Sequence, residues 1–286
     1  MQTQLLDSPH CSIKLIETWG RDERIIEAAR MSTDKGFLGW NPESLYRCAT
    51  CGYTMTVPHN DPAIRIQHEV PMPIDVVMPP AGAPIMPSPR VIHNMTYVSG
   101  HNGDAKLLGY LYGHKHFTPF EMAGCIFEVQ APIFVFREWH RHRTQSYNEL
   151  SARYTELPDM FYIPSIARIM QSRQDAINKQ ASGGQAFTEL EARHRQDEIA
   201  RAYKASRMAY VDLMSMGVAR EVARVVVPVG QISRMRASAN LRNWLQFLEL
   251  RMNPAAQWEI RQYANAVHDL LQFHFPRTLQ LFDHAA

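Results

Sequence analysis

Residues Arg141–Tyr154 read RHRTQSYNELSARY, and the organisation of the chain is best understood from this stretch. It begins with three residues that are cationic or can become so, and its first aliphatic side chain is Leu150. A stretch this polar does not form a core element, and its cations are Arg rather than Lys. Arginine makes fixed, bidentate contacts with phosphate and carboxylate groups. The stretch therefore predicts an anion-binding site.

A second group of arginines lies late in the chain and suggests the other half of the same pocket. It consists of Arg220, Arg224, Arg234, Arg236, Arg242 and Arg251. The formal net charge of the chain is only +2, whereas proteins that bind nucleic acid or anionic membranes normally carry a strong basic excess. The basic site is therefore expected to be local, with no nucleic acid as partner.

The four cysteines and the apolar runs indicate the compartment. Four cysteines are too few for a disulfide scaffold in 286 residues, and the N-terminus does not resemble a signal peptide. The longest apolar runs, Ala131–Phe136 and Val225–Val229, are far shorter than a membrane span. We therefore expect a soluble, cytoplasmic protein that does not associate with a membrane.

The periodicity of apolar residues predicts a few early strands and a helix-rich C-terminal half. Ser12–Trp19 and Cys125–Gln130 alternate as strands do, and Arg21–Met31 has helical spacing. Phe187–Met216 and Asn240–Arg251 are amphipathic helices by the same criterion. The consistent architecture is a single α+β domain, residues 1–286, with helices segregated against a small sheet.

This domain is interrupted at about residues 38–103, where ten of the chain's 18 prolines lie. Proline lacks the backbone donor that helices and sheets use, so we expect an irregular insertion of extended segments and turns. Cys48 and Cys51 form a CxxC pair inside it, with His59, His68 and His93 nearby. A zinc site would need two more ligands at suitable positions, so we favour two unligated thiols and no metal.

Two predicted helix ends could present groups to an anion. Thr118 and Glu121 match the N-cap and N3 positions of a capping box, beside His116 as a further donor. Pro132 is expected to open a helix that places Arg141–Arg143 at its C-terminal end, where the helix dipole favours cations.

The common catalytic and phosphate-binding motifs do not occur in this sequence. It has no Walker loop, no GxGxxG fingerprint and no GxSxG elbow. Cys125 lies among apolar residues, which raise rather than lower a thiol pKa. The remaining candidate is a pocket of Arg, His, Asn, Glu and Ser side chains, which suits a ligand with several phosphates or carboxylates and a bound cofactor.

Several sequence blocks resemble the flavin-dependent thymidylate synthases (ThyX). RHRTQSYNELS fits that family's signature of RHR, seven residues and Ser. The resemblance extends to APIFVFREWHRHR, FTPFE, SARY, FYIP, AREVARVVVP, NLRNWLQFLELR and AQWEIRQYA in the same order. It covers roughly residues 10–37 and 104–275, which is nearly everything except the Pro-rich insertion.

The resemblance implies a ThyX-like α+β fold with a small, mostly antiparallel sheet and long helices. It implies a homotetramer whose active sites are shared between subunits. The protein would bind FAD, reduce it with NADPH, take a methylene group from methylene-tetrahydrofolate and convert dUMP to dTMP. Two alternatives stay open: a ThyX-like enzyme that acts on another pyrimidine nucleotide, such as dCMP, or makes a different one-carbon product, and a non-catalytic nucleotide- or RNA-binding protein.

Matching motif positions assign roles to individual residues. The residues that would contact FAD are Ser32, His116, Thr118, Glu121, Arg141, His142, Arg143, Asn148, Glu149, Asn240, Arg242 and Gln246. Those that would hold dUMP are Glu138, Ser151, Ala152, Arg153, Arg224 and Arg251, with Arg251 as the catalytic residue that polarises the base. Glu138, Gln246 and Ala255 depart from the commoner pattern, and a carboxylate at Glu138 would repel a phosphate unless an arginine intervened.

Overall fold

A computed structural model describes residues 2–58, 65–71, 90–173 and 186–285 of the chain. It divides the chain into two compact units. The larger unit comprises Met1–Ala28 and His116–Ala286, and the smaller unit comprises Ala29–Lys115. Each unit is described by itself.

The described residues form the following strands and helices. The strands are β1 (Gln2–Leu5), β2 (Ser8–Trp19), β3 (Glu43–Cys48), β4 (Thr54–Val57), β5 (Ile66–Pro71), β6 (Arg90–His101), β7 (Gly124–Pro132), β8 (Ser146–Glu149) and β9 (Ile232–Asn240). The α-helices are α1 (Asp22–Arg30), α2 (Asp104–Gly113), α3 (Ile133–Trp139), α4 (Ile166–Met170), α5 (Glu189–Ser215), α6 (Arg220–Ala223), α7 (Leu241–Arg251), α8 (Trp258–His274) and α9 (Pro276–Ala285). Short 3-10 helices span Met31–Thr33, Thr118–Met122 and Arg224–Val226.

The larger unit is built on a five-stranded antiparallel sheet with the order β1-β2-β7-β9-β8. On β7, Phe127 and Val129 are fully buried, as the alternation in the sequence predicts. The ring of Phe127 lies edge-on to Trp244 of α7, with centroids 4.9 Å apart. Helices thus bury an aromatic core against the sheet, which confirms the α+β prediction with an antiparallel sheet and long helices.

Strand β9 lies inside this sheet, although the sequence analysis assigned few strands to the C-terminal half. Met235, Ala237 and Ala239 are buried, whereas Arg234 and Arg236, at alternate positions, are exposed. The alternation is of period two, but small and charged residues weaken the usual signal of β-branched and aromatic side chains. The segment is therefore a strand whose sequence looks like a polar connection.

The smaller unit contains a four-stranded antiparallel sheet with the order β4-β3-β6-β5. The expectation of an irregular insertion is therefore wrong for the part that the structure describes. The physical reason lies in where the prolines stand: Pro42 and Pro58 flank β3 and β4, and Pro71 is the last residue of β5. At strand ends proline leaves the ladder hydrogen bonds intact. The other prolines of the insertion lie outside the described residues.

The helices predicted from periodicity are present. The segment Arg21–Met31 contains α1, and Phe187–Met216 contains α5, which begins with a capping box between Thr188 and Glu191. In the described part of the chain, no helix has both the length and the apolar character that a membrane span requires.

Candidate functional site

The segment Arg141–Arg143 follows α3 directly, as predicted, with Pro132 at the N-cap of that helix. The backbone N–H of His142 donates to the carbonyl of Trp139 at 3.0 Å, which tightens the helix end. His142 is only 8% exposed, whereas Arg141 and Arg143 on either side are exposed. The segment therefore turns one imidazole inward and presents two guanidinium groups at the surface.

Arg251, at the C-terminal end of α7, joins His142 to Glu138. Its Nε donates to His142 Nε2 at 2.9 Å. Its Nη1 donates to the Glu138 carboxylate and its Nη2 to the Glu138 carbonyl, both at 2.9 Å. Hydrogen bonds at Nε, Nη1 and Nη2 thus hold the guanidinium of Arg251 in one orientation and connect α7 to the end of α3.

His142 is held as a neutral imidazole in this arrangement. Burial, and then the charge of Arg251, lower the pKa of His142 from 6.5 to about 4. A neutral ring can accept the Arg251 hydrogen bond at Nε2, which a protonated ring could not. The contact and the pKa therefore agree. The His142 ring also lies edge-on to the ring of Phe247, with centroids 4.9 Å apart.

Glu138 shows how a carboxylate can stand at this position. The negative charge of the Glu138 carboxylate, which was expected to repel a phosphate unless an arginine intervened, is paired with Arg251 at 2.9 Å. The side chain of Arg251 is 16% exposed, so the pair is partly desolvated. Glu138 is thereby a fixed partner of Arg251.

Tyr147 was not predicted as a site residue, but its hydroxyl connects β8 to the C-terminal end of α3. Its hydroxyl lies 3.0 Å from the carbonyl oxygen of Trp139 and 2.8 Å from that of His142. Burial raises the pKa of Tyr147, so the hydroxyl stays a donor. The sequence feature that could have identified Tyr147 is its position as an aromatic residue in the middle of an otherwise polar stretch.

Gln145 is the second residue that the sequence analysis missed. Its Oε1 accepts a hydrogen bond from Trp139 Nε1 at 3.0 Å. Among the described residues, none accepts a hydrogen bond from its buried Nε2. Buried donors are normally hydrogen-bonded, so the Nε2 of Gln145 is a candidate to donate to a bound group.

Asn148 and Glu149 lie on β8, which pairs with β9 at the edge of the large sheet. They contribute to a concave surface of about 450 Å³. Its lining consists of Glu128, Asn148, Glu149, Leu150, Arg234, Met235 and Arg236. Arg236 and Glu128, opposite each other on β9 and β7, form an ion pair at 3.2 Å. The two predicted arginine-containing segments therefore do meet at one surface.

Ser151, Ala152 and Arg153 form a turn after β8. The N–H of Arg153 donates to Ser151 Oγ at 3.3 Å. Ala152 is buried in a cluster with Ala223, the residue before Arg224. Arg153 pairs with Glu221 of α6 at 3.5 Å. The turn and the α6 region are thus packed together.

The segment Thr118–Met122 is a 3-10 helix, so the predicted capping box is wrong. Its N-cap residue is Phe117, and no side chain makes a capping hydrogen bond there. Glu121 instead forms an ion pair with Arg242 of α7. A long-range arginine partner outcompetes the local cap, which a local sequence pattern cannot reveal.

Helix α7 presents the other residues of this group. Asn240 is its N-cap, and Asn240 Oδ1 accepts from the N–H of Asn243 at 3.0 Å. Arg242 and Gln246 lie four residues apart and are both exposed. Asn243 Nδ2 donates to the carbonyl of Thr144 at 3.2 Å, which ties α7 to the Arg141–Tyr154 stretch.

Ser32 and His116 are the remaining residues that were predicted to contact FAD. Ser32 belongs to the smaller unit, in the 3-10 helix Met31–Thr33. His116 is exposed and starts the second segment of the larger unit. Their roles stay predictions.

Comparisons with known proteins agree with the motifs. The model of the family described as "Thymidylate synthase complementing protein" matches residues 14–277. A flavin-dependent thymidylate synthase of Thermus thermophilus is 44% identical over 184 residues, which cover 63% of this chain and 64% of the relative. That of Thermotoga neapolitana is 38% identical over 196 residues, which cover 68% of this chain and 82% of the relative. The chain thus spans less than two thirds of the Thermus protein.

Two solved structures share the fold. Both are of the UMP/dUMP methylase PolB from Streptomyces cacaoi, one bound with 5-Br UMP and one with 5-Br dUMP. The first has a TM-score of 0.67 at 24% identity and covers 96% of this chain and 94% of that chain. The second has a TM-score of 0.66 at 25% identity and covers 96% and 95%.

Proposed function

The chain belongs to the thymidylate synthase complementing protein family, and on this premise we propose that it is a flavin-dependent thymidylate synthase. The proposed reaction is the reductive methylation of dUMP to dTMP, with NADPH and methylene-tetrahydrofolate as co-substrates. The observation that carries the proposal is the set of hydrogen bonds from Arg251 to His142 and Glu138. These bonds bring the predicted catalytic arginine into contact with the RHR segment of the family signature.

The Ser151–Arg153 turn and Arg224 are proposed to hold the substrate phosphate. A nucleotide monophosphate carries nearly two negative charges, and arginine forks from separate elements can fix it. Arg153 and Arg224 are both exposed, and they lie on segments that pack against each other through Ala152 and Ala223. The Ser151 hydroxyl fits as a phosphate ligand in the same turn.

The residues present also fit FAD. Exposed Arg141 and Arg143 supply the cations that a pyrophosphate needs, and Asn148 and Glu149 of the same sequence stretch line a concave surface. The unpartnered Nε2 of Gln145 indicates a polar site that is incomplete without a ligand. When bound and reduced, a flavin would supply the hydride for the methylation.

Arg251 is proposed to face the pyrimidine and to polarise its carbonyl by donating a hydrogen bond. Glu138 and the neutral His142 hold the guanidinium in one orientation, so little reorganisation is needed during the reaction. An enzyme thiol has no part in this scheme. Burial raises the pKa of Cys125 well above its ordinary value, which is unsuited to a thiolate nucleophile.

A homotetramer with shared active sites is part of the proposal. Exposed apolar side chains lie on α5 and on the short helices that follow it: Met208, Val211, Val222 and Val225. Ser206 Oγ of α5 donates to the carbonyl of Val226 at 2.6 Å, which joins these elements. An apolar surface beside Arg224 supports an interface next to the substrate residues.

The test is the isolation of the protein with its flavin, followed by product analysis. Purified protein should be yellow, and the flavin released on denaturation should be FAD. Under anaerobic conditions with NADPH and methylene-tetrahydrofolate, dUMP should yield dTMP. Parallel reactions with UMP and dCMP identify a different substrate, since PolB is described as a UMP/dUMP methylase. Flavin-free protein that leaves all three nucleotides unchanged would contradict the proposal.

A further inference from the structure

Four potential metal ligands converge in the smaller unit. They are Cys48, Cys51, His68 and His93, and their ligand atoms all lie within 4.8 Å of one another. Cys48 Sγ is 3.4 Å from His93 Nδ1, and Cys51 Sγ is 3.4 Å from His68 Nε2. The sequence shows histidines near the CxxC pair but not where they lie, and the fold brings two of them to the pair. The expectation of two unligated thiols is therefore revised below. His59, the other histidine noted near the pair, lies outside the described residues.

The strand register explains this convergence. His68 of β5 stands directly opposite His93 of β6. Cys48, the last residue of β3, stands opposite Met95 of β6. Because side chains two residues apart in a strand share a face, His93 and Met95 point to the same side. That side is the less exposed one, since Ile92, Asn94 and Thr96, at the alternate positions of the strand, are exposed.

The turn that follows β3 is shaped to bring Cys51 back towards Cys48. The N–H of Gly52 donates to the carbonyl of Cys48 at 3.0 Å, and Gly52 has φ +76°, a conformation that favours glycine. The N–H of Cys51 donates to Cys48 Sγ at 3.5 Å. Such a donor stabilises negative charge on the sulfur, as a metal-bound thiolate requires.

One of the imidazoles is oriented by a second contact. The ring of Tyr53 stacks on His68, with centroids 4.8 Å apart and an interplanar angle of 21°. Stacking restricts the rotation of the His68 ring. The Tyr53 carbonyl also accepts from the N–H of Cys48 at 2.8 Å. The residue after the glycine turn therefore supports both a cysteine and a histidine ligand.

The donor set selects the metal. Two thiolates and two imidazoles suit tetrahedral zinc, and four protein ligands leave no open position for catalysis. A tetrahedral ion with Zn–S of about 2.3 Å and Zn–N of about 2.0–2.1 Å separates sulfur from nitrogen by about 3.5 Å. The two sulfur–nitrogen separations of 3.4 Å fit that geometry.

We propose that the smaller unit binds one structural zinc ion through Cys48 Sγ, Cys51 Sγ, His68 Nε2 and His93 Nδ1. The hydrophobic cluster on this face is small, with Tyr46, Cys48 and Met95 as its buried members in the described residues. Small folding units with a limited core are commonly stabilised by a metal. The zinc would join β3, β5 and β6 where the apolar cluster ends.

The experiment measures metal in the full-length protein purified under reducing conditions without a chelator. Elemental mass spectrometry should find about one zinc ion per chain. Replacing zinc with cobalt should give the visible bands of a tetrahedral ion and a thiolate charge-transfer band. Cys51→Ser should lower the zinc content about tenfold or more and remove the charge-transfer intensity of one thiolate. Cys51 is exposed, so this change vacates no core position.

Matched controls lie outside the cluster. His68→Asn should also lose zinc, whereas His10→Asn and Cys125→Ala should retain it. Removal of zinc with EDTA should increase proteolytic cleavage within residues 29–115 before cleavage elsewhere. The proposal is overturned if reduced protein neither contains nor takes up zinc or cobalt, or if Cys51→Ser and His68→Asn keep the full wild-type zinc content. These readouts do not depend on thymidylate synthase activity.

Discussion

Arg251 uses three of its donor groups on two partners, His142 and Glu138. A lysine at this position would keep the charge but lose the planar fork. We predict that Arg251→Lys lowers kcat for dTMP formation by about 10²-fold, in the range found when a preorganised donor is removed. Steady-state kinetics on flavin-loaded protein measure this effect.

Arg193→Lys is the matched control for that experiment. Arg193 forms an exposed ion pair with Glu189 on α5, and such pairs contribute little to stability or function. The control should keep the wild-type kcat. If Arg251→Lys also kept it while the protein stayed folded and bound flavin, Arg251 would not be the residue that polarises the base.

His142 makes the stability of the protein sensitive to acid. Burial and the Arg251 charge lower its pKa from 6.5 to about 4, so the folded protein excludes a proton that the unfolded chain binds. This stability is present above pH 6.5 and is lost as the pH falls towards 4. The loss from this residue is at most about 1.4 kcal/mol per pH unit.

We therefore predict that His142→Gln flattens the decline in the free energy of unfolding over that pH range. Urea denaturation of the wild type and the variant at a series of pH values measures the two slopes. His194→Gln changes an exposed histidine of α5 and should leave the wild-type slope. Equal slopes for wild type and His142→Gln would contradict the assignment of His142 as a buried neutral group.

Among the structural elements, the turn after β8 and the helices around Arg224 are proposed to form one phosphate site. Charge-assisted hydrogen bonds contribute about 1.5–3 kcal/mol, so Arg224→Ala should raise KM for dUMP by about 10- to 100-fold. The same substitution should hardly change the affinity for deoxyuridine, which lacks the phosphate. Kinetics with dUMP and calorimetric binding of both compounds measure the difference.

Arg201→Ala on α5 is the control, because Arg201 is exposed and belongs to neither predicted group. It should leave the preference for dUMP over deoxyuridine unchanged. Equal losses of affinity for dUMP and deoxyuridine in Arg224→Ala would show that Arg224 supports the fold of the pocket rather than the phosphate.

The elements that the sequence predicts well are those with strong periodicity. The helices α1 and α5 and the strand β7 follow apolar patterns of period 3.6 or 2, and tertiary packing reinforces those patterns. Strand β9 was missed because its arginine, serine and alanine residues resemble a polar loop. The sheet of the smaller unit was missed because the number of prolines does not reveal their positions. Pro42, Pro58 and Pro71 lie at strand ends, where they do not interrupt the sheet.

The site residues illustrate the same division. Sequence motifs identified Arg251, His142 and Glu138 separately, but not that they contact one another. Their contacts join residues more than 100 positions apart, which no local pattern encodes. The Glu121–Arg242 pair replaced a predicted helix cap for the same reason. Ion pairs between residues distant in sequence therefore cannot be predicted from local sequence patterns.

At the scale of the whole molecule, the proposed tetramer makes a prediction about α5. Met208 is 58% exposed near the short helices that carry Arg224, and Leu190 is 79% exposed near the start of the same helix. Burying a charge in an apolar interface is costly, so Met208→Glu should shift the tetramer to smaller species and lower activity. Size-exclusion chromatography with light scattering measures the mass in solution.

Leu190→Glu makes the same chemical change on the same helix and should leave the assembly intact. If Met208→Glu stays tetrameric and fully active, the exposed surface of α5 is not the interface. A wild-type protein that is monomeric and active would contradict the shared-site proposal itself.

The most direct test of the central claim follows a heavy-carbon methylene group from methylene-tetrahydrofolate into the nucleotide. Flavin-loaded protein, NADPH and dUMP are incubated without oxygen, and the nucleotide is identified by mass spectrometry. A flavin-dependent thymidylate synthase should give dTMP that carries the heavy carbon in its methyl group, and no product when NADPH or the folate is omitted. Recovery of unchanged dUMP from folded, flavin-loaded protein would contradict the central claim.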